Sequence, residues 1–213
     1  MGASGCQQVS QPLESFDRGA FITSASPGSA PVAGRSVALA LASFRHDTAV
    51  LQLLDEVLSG PDAGLFDPIL VVDSLGTGRI QAAIADRGWT GKVVYHTADT
   101  NLGSAGNLAR RLELAAAAGA EWVFAVNQDG EIRADSVRKM AQVGRSLPRI
   151  GAVYPLRRKV NKEGRYDFTG KSALPLPFIG EHRAPVEPLV DVHWGSSNGT
   201  LYALAPIREG LTP

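Results

Sequence analysis

Four short apolar segments alternate with segments of helical periodicity between Ser36 and Pro148. The first, SVALALAS, is apolar at nearly every position, which predicts a strand buried on both faces, as in a parallel sheet. PILVVD, KVVYH and EWVFAV repeat this pattern further along the chain. Strands that alternate with helices through short connections are typical of an open α/β sheet. The predicted fold class is therefore α/β, a mostly parallel sheet flanked by helices.

The segment after the first strand has the spacing of a helix with one buried face. Asp47 precedes this face and is predicted to cap the helix, which Gly60 and Pro61 end. The apolar positions follow the i, i+3, i+4, i+7, i+8 pattern: Val50, Leu53, Leu54, Val57 and Leu58.

Composition narrows the possible partners and the domain organisation. Lys plus Arg and Asp plus Glu each number 21, so the formal net charge is zero and nucleic acid is not an expected partner. The single Cys6 excludes an internal disulfide framework. Residues 1–35 are rich in Gly, Ser, Ala, Pro and Gln and are predicted to form a disordered tail, which leaves 36–213 as one domain.

Polar side chains follow the predicted strands at their carboxyl ends. Ser43 and Arg45 end the first, Asp73 ends the second, and Asn127 with Asp129 ends the fourth. Ligands of open parallel sheets bind at this edge, so these side chains are candidate binding residues.

The stretch NLGSAGNLARRLELAAAAGAEWVFAVNQD, from Asn101 to Asp129, combines two features of a diphosphate site. A glycine-punctuated loop opens a helix, whose N-terminal N–H groups attract anions. The following strand delivers a carboxylate that can hold the divalent cation accompanying such an anion. The stretch therefore predicts binding of a nucleoside-diphosphate sugar.

Three other motifs match known functional patterns only in part, because their spacing or their structural context is wrong. GTG at Gly76 lacks the third glycine of a dinucleotide loop, and TGKS at Thr169 lacks the first glycine of a P-loop. GSSNG, from Gly195 to Gly199, matches the nucleophile elbow of serine hydrolases as a string. A strand-like TLYALA follows it where the elbow needs a helix, so a serine hydrolase is disfavoured.

Four blocks in order resemble the family 2 glycosyltransferases of GT-A fold, in particular bacterial rhamnosyl- and galactofuranosyltransferase-like members: VALALASFRHD, PILVVDSLGTG, NLGSAGN and WVFAVNQDG. In the family these blocks read approximately as an apolar strand with T-Y/F-N-R, V-D-N-x-S, N-x-G-x-x-G, and a strand ending in D-x-D. The later segment VDVHWGSSNGTLYALAPIREGLTP is similar to the acceptor-side segment of the family. The resemblance covers about residues 36 to 213.

The resemblance implies a role for individual residues. Asp129 would ligate Mg²⁺ or Mn²⁺, and Trp194 and Gly195 would lie on the acceptor side. The contacts to the nucleotide sugar would come from seven residues: Ser43, Arg45, Asp73, Asn101, Gly103, Gly106 and Asn127. Asn127 departs from the family pattern, since it stands at the first Asp of D-x-D.

The activity implied is metal-assisted transfer of a sugar, with inversion, to a glycan or lipid-linked acceptor in cell-wall or polysaccharide synthesis. The donor would be a UDP- or dTDP-sugar, and the location would be the cytoplasm, at the inner face of the membrane. The general base of the family would lie beyond Pro213, so no catalytic residue is assigned. If the general base is missing, the chain is expected to bind the donor without completing the reaction.

Two alternatives stay open. One is a non-catalytic nucleotide-sugar-binding or partner subunit with a glycosyltransferase-like domain, which Asn127 favours. The other is a nucleotidyltransferase of similar sheet architecture, although SFRHDTAV lacks the glycine-rich loop with Arg and Lys that such enzymes carry after the first strand.

Overall fold

A computed structural model describes residues 36–147, 150–155, 157–158, 166–168, 180–182 and 197–210. The predicted tail 1–35 lies outside the described residues.

The elements alternate in the first part of the described chain as the sequence predicts. The strands are β1 (Val37–Ser43), β2 (Phe66–Ser74), β3 (Val93–Ala98), β4 (Trp122–Val126), β5 (Ala152–Val153), β6 (Arg157–Arg158), β7 (Tyr166–Phe168), β8 (Gly180–His182) and β9 (Thr200–Ala203). The helices are α1 (Asp47–Ser59), α2 (Arg79–Asp86), α3 (Gly103–Ala117), α4 (Ala134–Ser146) and α5 (Ala205–Arg208).

The main sheet has six strands in the order β3-β2-β1-β4-β9-β5. The first four are parallel, β9 runs antiparallel to β4, and β5 runs antiparallel to β9. This arrangement confirms the predicted mostly parallel α/β sheet. Strands β6, β7 and β8 form a small antiparallel sheet. Because β2 and β4 lie on opposite sides of β1, the strand order reverses at the β1–β4 pair, which is where open α/β sheets bind ligands.

Side chains of β1 alternate between two apolar layers. Leu39 and Leu41 belong to the larger cluster, together with residues of α1, α2 and α4. Ala38 and Ala40 belong to the second cluster, where Leu112 of α3 packs. Full burial of one leucine stabilises the fold by about 1.5–3 kcal/mol. Because alanine side chains are short, α3 packs close to the sheet and brings its polar residues near the strand ends.

The start of α1 differs from the prediction that Asp47 caps the helix. His46 is the N-cap residue and forms no side-chain capping bond, whereas Asp47 is the first helical residue. The Asp47 side chain is 7% exposed and accepts a hydrogen bond of 2.8 Å from Thr77 Oγ1. The carboxylate therefore fastens α1 to the loop before α2 instead of capping its own helix.

Within the described ranges, each helix is too short or too polar to cross a bilayer.

Candidate functional site

A cavity of about 360 Å³ opens at the carboxyl edge of the sheet, at the β1–β4 reversal. Residues 42–44 at the end of β1, Ser74 at the end of β2 and residues 127–129 after β4 line one side of it. The loop before α3 and α3 itself line the other side with Asn101, Gly103, Ser104, Asn107 and Arg111. The cavity thus joins three strand ends and one helix N-terminus.

Hydrogen bonds from side chains hold the two central strand ends together. Gln128 Oε1 accepts from the backbone N–H of Phe44 at 2.8 Å, which joins the turn after β4 to the end of β1. Asn198 Oδ1 accepts from the backbone N–H of Asn127 at 2.9 Å. A Cβ atom at Gly130 would lie 2.4 Å from Val126 Cγ1, so this turn accommodates glycine alone without rearrangement.

The loop before α3 is set by Asn101 and Gly103. Asn101 Oδ1 accepts from the backbone N–H of Gly103 at 3.0 Å, and Gly103 has a φ of 66°, which favours glycine. This turn begins α3 with its N-terminus at the cavity. The first N–H groups of a helix have no partners within the helix and attract anions.

Two polar residues of α3 are buried beneath the cavity. Asn107 Nδ2 donates to the Val72 carbonyl at 3.0 Å and to Ser74 Oγ at 3.3 Å. Arg111 is 2% exposed and belongs to the same face of the helix. Neither residue is among those predicted from the sequence, although their i, i+4 spacing places them on one helix face.

Several buried polar atoms at the cavity have no hydrogen-bond partner among the described residues. Ser43 Oγ, Asn107 Oδ1 and Arg111 Nε are three of the six such side-chain atoms in the described part of the chain, and all three residues line the cavity. Most buried polar groups in proteins are paired. This concentration indicates a place where a bound molecule supplies the missing partners.

The structure gathers five of the sequence-predicted residues at the cavity. They are Ser43, Asn101, Gly103, Asn127 and Asp129. Trp194 and Gly195 lie outside the described residues.

Three predicted residues, Asp73, Arg45 and Gly106, are described but do not line the cavity. Asp73 is 1% exposed, and its Oδ2 accepts from the Tyr95 hydroxyl at 2.8 Å. Burial, and then the bond to Asp73, raise the pKa of Tyr95 above its ordinary value. Arg45 is exposed, has a φ of 58°, and its guanidinium carbon lies 5.1 Å from the centre of the Phe44 ring. Gly106 lies in the first turns of α3.

Among the described residues, Asp129 is the one carboxylate that lines the cavity, and it is exposed. No cluster of three metal-ligating side chains occurs among the described residues. Mg²⁺ is commonly held by one or two carboxylates together with substrate phosphates and waters. The residues therefore fit a cation that is shared with a phosphate ligand, and they do not form an all-protein cage.

The disfavoured nucleophile elbow is excluded by local structure. Ser197 is followed by a turn at Asn198 and Gly199 and then by strand β9. An elbow serine would be followed by a helix. Asn198 serves instead to anchor the turn after β4.

Comparison with known proteins identifies the fold. No protein-family model matches the sequence, and the search of curated proteins found no match. The structure of the S. aureus TarS fragment 1–349 with UDP-GlcNAc is similar at a TM-score of 0.56 and 15% identity, over 82% of this chain and 47% of that one. The TarS fragment without ligand gives a TM-score of 0.52 at 14% identity, over 82% and 49% of the two chains.

A second kind of enzyme has a similar structure. For 4-diphosphocytidyl-2C-methyl-D-erythritol synthase the TM-score is 0.50 at 11% identity, over 83% of this chain and 78% of that one. The chain spans about half the length of the TarS fragments. Together these similarities show that the chain has the nucleotide-diphospho-sugar transferase, or GT-A, fold.

Proposed function

We propose that this chain binds the nucleotide-sugar donor of a glycosyltransferase that transfers the sugar to a glycan or lipid-linked acceptor. The observation that carries the proposal is the cavity at the β1–β4 reversal, where the N-terminus of α3 and the Asp129 carboxylate meet. A diphosphate matches this pair, because helix N–H groups take its oxygens and a carboxylate can share its cation. The UDP-GlcNAc complex of TarS supports a UDP-sugar as one donor to test.

The nucleoside would lie against the ends of β1 and β2. Ser43 lines the cavity with an unpartnered hydroxyl, which can donate to or accept from a ribose or base. Asp73 Oδ1 is buried without a partner, and the resemblance to family 2 enzymes assigns this carboxylate to the nucleoside. Arg45, exposed beside Phe44, would reach the outer part of the nucleotide.

The diphosphate would lie at the start of α3. Asn101 and Gly103 shape the loop there, and the resemblance adds Gly106 one turn into the helix. Asn127 would donate its amide to a ribose or sugar hydroxyl.

Asp129 would hold Mg²⁺ or Mn²⁺ with the donor phosphates. When bound, the cation neutralises charge that develops on the departing nucleoside diphosphate. The exposed position of Asp129 at the cavity leaves room for phosphate and water ligands beside its carboxylate. Trp194 and Gly195, outside the described residues, would contribute to the acceptor side, and transfer would invert the anomeric centre.

Calorimetry on paired aspartate variants tests the donor site. Asp129→Ala is expected to abolish the Mn²⁺-dependent part of UDP or dTDP binding. Asp135→Ala is the matched control, because Asp135 lies at the start of α4 and pairs with Arg138 away from the cavity. Equal effects of the two substitutions would refute the assignment of Asp129.

A non-catalytic binding subunit is the alternative that Asn127 favours, since an amide is a weaker metal ligand than a carboxylate. Metal-dependent nucleotide binding together with absent sugar transfer would support this alternative. Transfer of a labelled sugar to a glycan or lipid-linked acceptor would support the enzyme.

A nucleotidyltransferase is a second candidate, which the structural similarity to 4-diphosphocytidyl-2C-methyl-D-erythritol synthase favours. Release of pyrophosphate from a nucleoside triphosphate and a sugar phosphate would identify this activity. Absence of release with all common nucleoside triphosphates would count against it.

A further inference from the structure

Arg111 is a buried cation at the floor of the cavity. Its side chain is 2% exposed and lines the cavity from α3. One guanidinium nitrogen, Nη1, donates to the Ala40 carbonyl at 3.1 Å and to the Val126 carbonyl at 3.0 Å. The guanidinium therefore bridges β1 and β4 at the reversal of strand order.

The Arg111 guanidinium has no ion-pair partner among the residues that the structure describes. Among the described residues no carboxylate forms an ion pair with it, and its hydrogen-bond acceptors are neutral carbonyls. Burial lowers the pKa of Arg111 to about 10, so the guanidinium keeps its charge at neutral pH. Removing an ion from water is unfavourable unless another charge compensates it. An anionic ligand would provide that compensation.

The atoms around Arg111 suit a phosphate. Arg111 Nε is a buried donor without a partner, and the Ser43 hydroxyl is a second unpartnered group at the same cavity. Guanidinium groups match phosphate oxygens in geometry and charge. The unpartnered Asn107 Oδ1 is an acceptor and would face a hydroxyl or a water instead.

The charges that line the cavity indicate why a phosphate ligand would need the Arg111 guanidinium. Among the described residues that line it, Arg111 and Asp129 are the charged ones. A nucleoside diphosphate carries more than one negative charge, and a single carboxylate is a minimal protein contribution to a metal site. A fixed guanidinium supplies positive charge at the cavity whether or not a cation is bound.

We propose that Arg111 binds the phosphates of the donor nucleotide directly, so that phosphate binding at this cavity has a component independent of divalent metal. The proposal rests on the proposed donor-binding function. It assigns to α3 a phosphate-binding side chain in addition to its N-terminal amides.

Calorimetry at fixed ionic strength, first in EDTA and then with Mn²⁺, tests the proposal. The probes are inorganic pyrophosphate, which is independent of the base, and UDP and GDP, with uridine and guanosine as phosphate-free controls. In EDTA, Arg111→Met is expected to weaken pyrophosphate and nucleotide binding by about 10- to 100-fold, the effect of one charge-assisted hydrogen bond. Nucleoside binding is expected to stay unchanged, and Arg111→Lys should recover part of the loss.

Arg110→Met is the matched control on the same helix. Arg110 pairs with Glu113 and His96 and does not line the cavity. The Arg110→Met substitution removes one positive charge from α3, as Arg111→Met does, and is expected to leave pyrophosphate binding nearly unchanged.

The outcomes separate this proposal from the proposed function. If UDP or GDP binds with Mn²⁺ but no phosphate ligand binds in EDTA, the role of Arg111 is refuted while donor binding stands. Equal affinities of wild type and Arg111→Met in EDTA would also refute it. If no nucleotide binds with or without metal, the proposed function itself fails.

A measurement on the wild-type protein covers the case in which Arg111→Met does not fold. The Arg111 Nε–H resonance in a ¹H–¹⁵N spectrum is expected to shift when pyrophosphate is added in EDTA. An unchanged resonance at saturating pyrophosphate would overturn the proposal.

Discussion

The side chain of Gln128 accepts a hydrogen bond of 2.8 Å from the backbone N–H of Phe44, although 84 positions separate the two residues. Phe44 follows β1, and Gln128 lies in the turn after β4. Both residues line the cavity. The bond therefore sets the spacing of two of its walls.

Loss of the Gln128 acceptor is expected to weaken the contact between the end of β1 and the turn after β4. Gln128→Leu should lower the free energy of unfolding by about 1–2 kcal/mol, because the partly buried Phe44 N–H loses its partner. Gln128→Glu keeps a side-chain oxygen and should retain most of the stability. Urea denaturation measures both, and equal losses in the two variants would contradict the role given to Oε1.

Asn198 holds the turn that carries Asn127 and Asp129. Asn198→Ala removes the acceptor of the Asn127 N–H, a bond of 2.9 Å. Hydrogen exchange of the Asn127 amide is then expected to accelerate by about 10-fold, the effect of one lost hydrogen bond. Asn198→Asp keeps the acceptor oxygen and should exchange near the wild-type rate. An unchanged rate in the alanine variant would show that the bond does not protect this amide.

Gly144 gives a test of packing between α4 and the sheet. A Cβ atom there would lie 2.7 Å from Trp122 Cη2 and 3.0 Å from Cζ2, and the Trp122 ring is buried. Gly144→Ala is expected to destabilise the fold by about 1–3 kcal/mol, because overpacking outweighs the gain in helix propensity.

Gly106→Ala is the control for this substitution. Gly106 also lies in a helix, but its added Cβ would meet Leu102 Cβ at 3.4 Å, an ordinary contact. Thermal unfolding should show Gly106→Ala to be neutral or stabilising by up to about 1 kcal/mol. A stability loss in this variant matching that of Gly144→Ala would contradict the packing argument.

His96 predicts a dependence of stability on pH. Burial, and then the Arg110 charge, lower the pKa of His96 from its usual 6.5, and its Nε2 accepts a bond of 3.2 Å from Arg110 Nε. Below about pH 6.5 the unfolded chain binds a proton that the folded chain resists, so stability falls as the pH falls.

Melting temperatures between about pH 5.5 and 7.5 measure this dependence. His96→Gln should show a smaller decrease on acidification than wild type. His46→Gln, at the exposed position before α1, serves as the control. If the two variants lose stability equally on acidification, His96 is not the responsible group.

The parallel part of the fold was predictable from local patterns. Continuous apolar runs such as the one that became β1 identify buried strands, and the edge at which Ser43, Asn127 and Asp129 lie follows from the parallel arrangement. The cavity there brings together residues from separate stretches of sequence, as that rule predicts.

Contacts between distant side chains were not predictable in the same way. Asn198 and Gln128 act through hydrogen bonds to backbone groups far along the chain. Arg111 stands next to a second arginine in a helix, a pattern that usually indicates a solvent-facing pair. Arg111 is buried because the short Ala38 and Ala40 side chains let α3 pack close to the sheet. The position of these alanines beneath α3 is evident only once the sheet register is known.

The late position of β9 in the sequence affects how the main sheet assembles during synthesis. It supplies the second hydrogen-bonded neighbour of β4, on the side opposite β1, through pairs such as Phe124 with Leu201, yet it is synthesised long after β4. Until then β4, which is buried along its whole length in the finished fold, presents an unpaired apolar edge. On the ribosome the β1–β4 sheet is therefore open to pairing with other chains until β9 emerges, and the last step of sheet assembly depends on a contact between distant parts of the sequence.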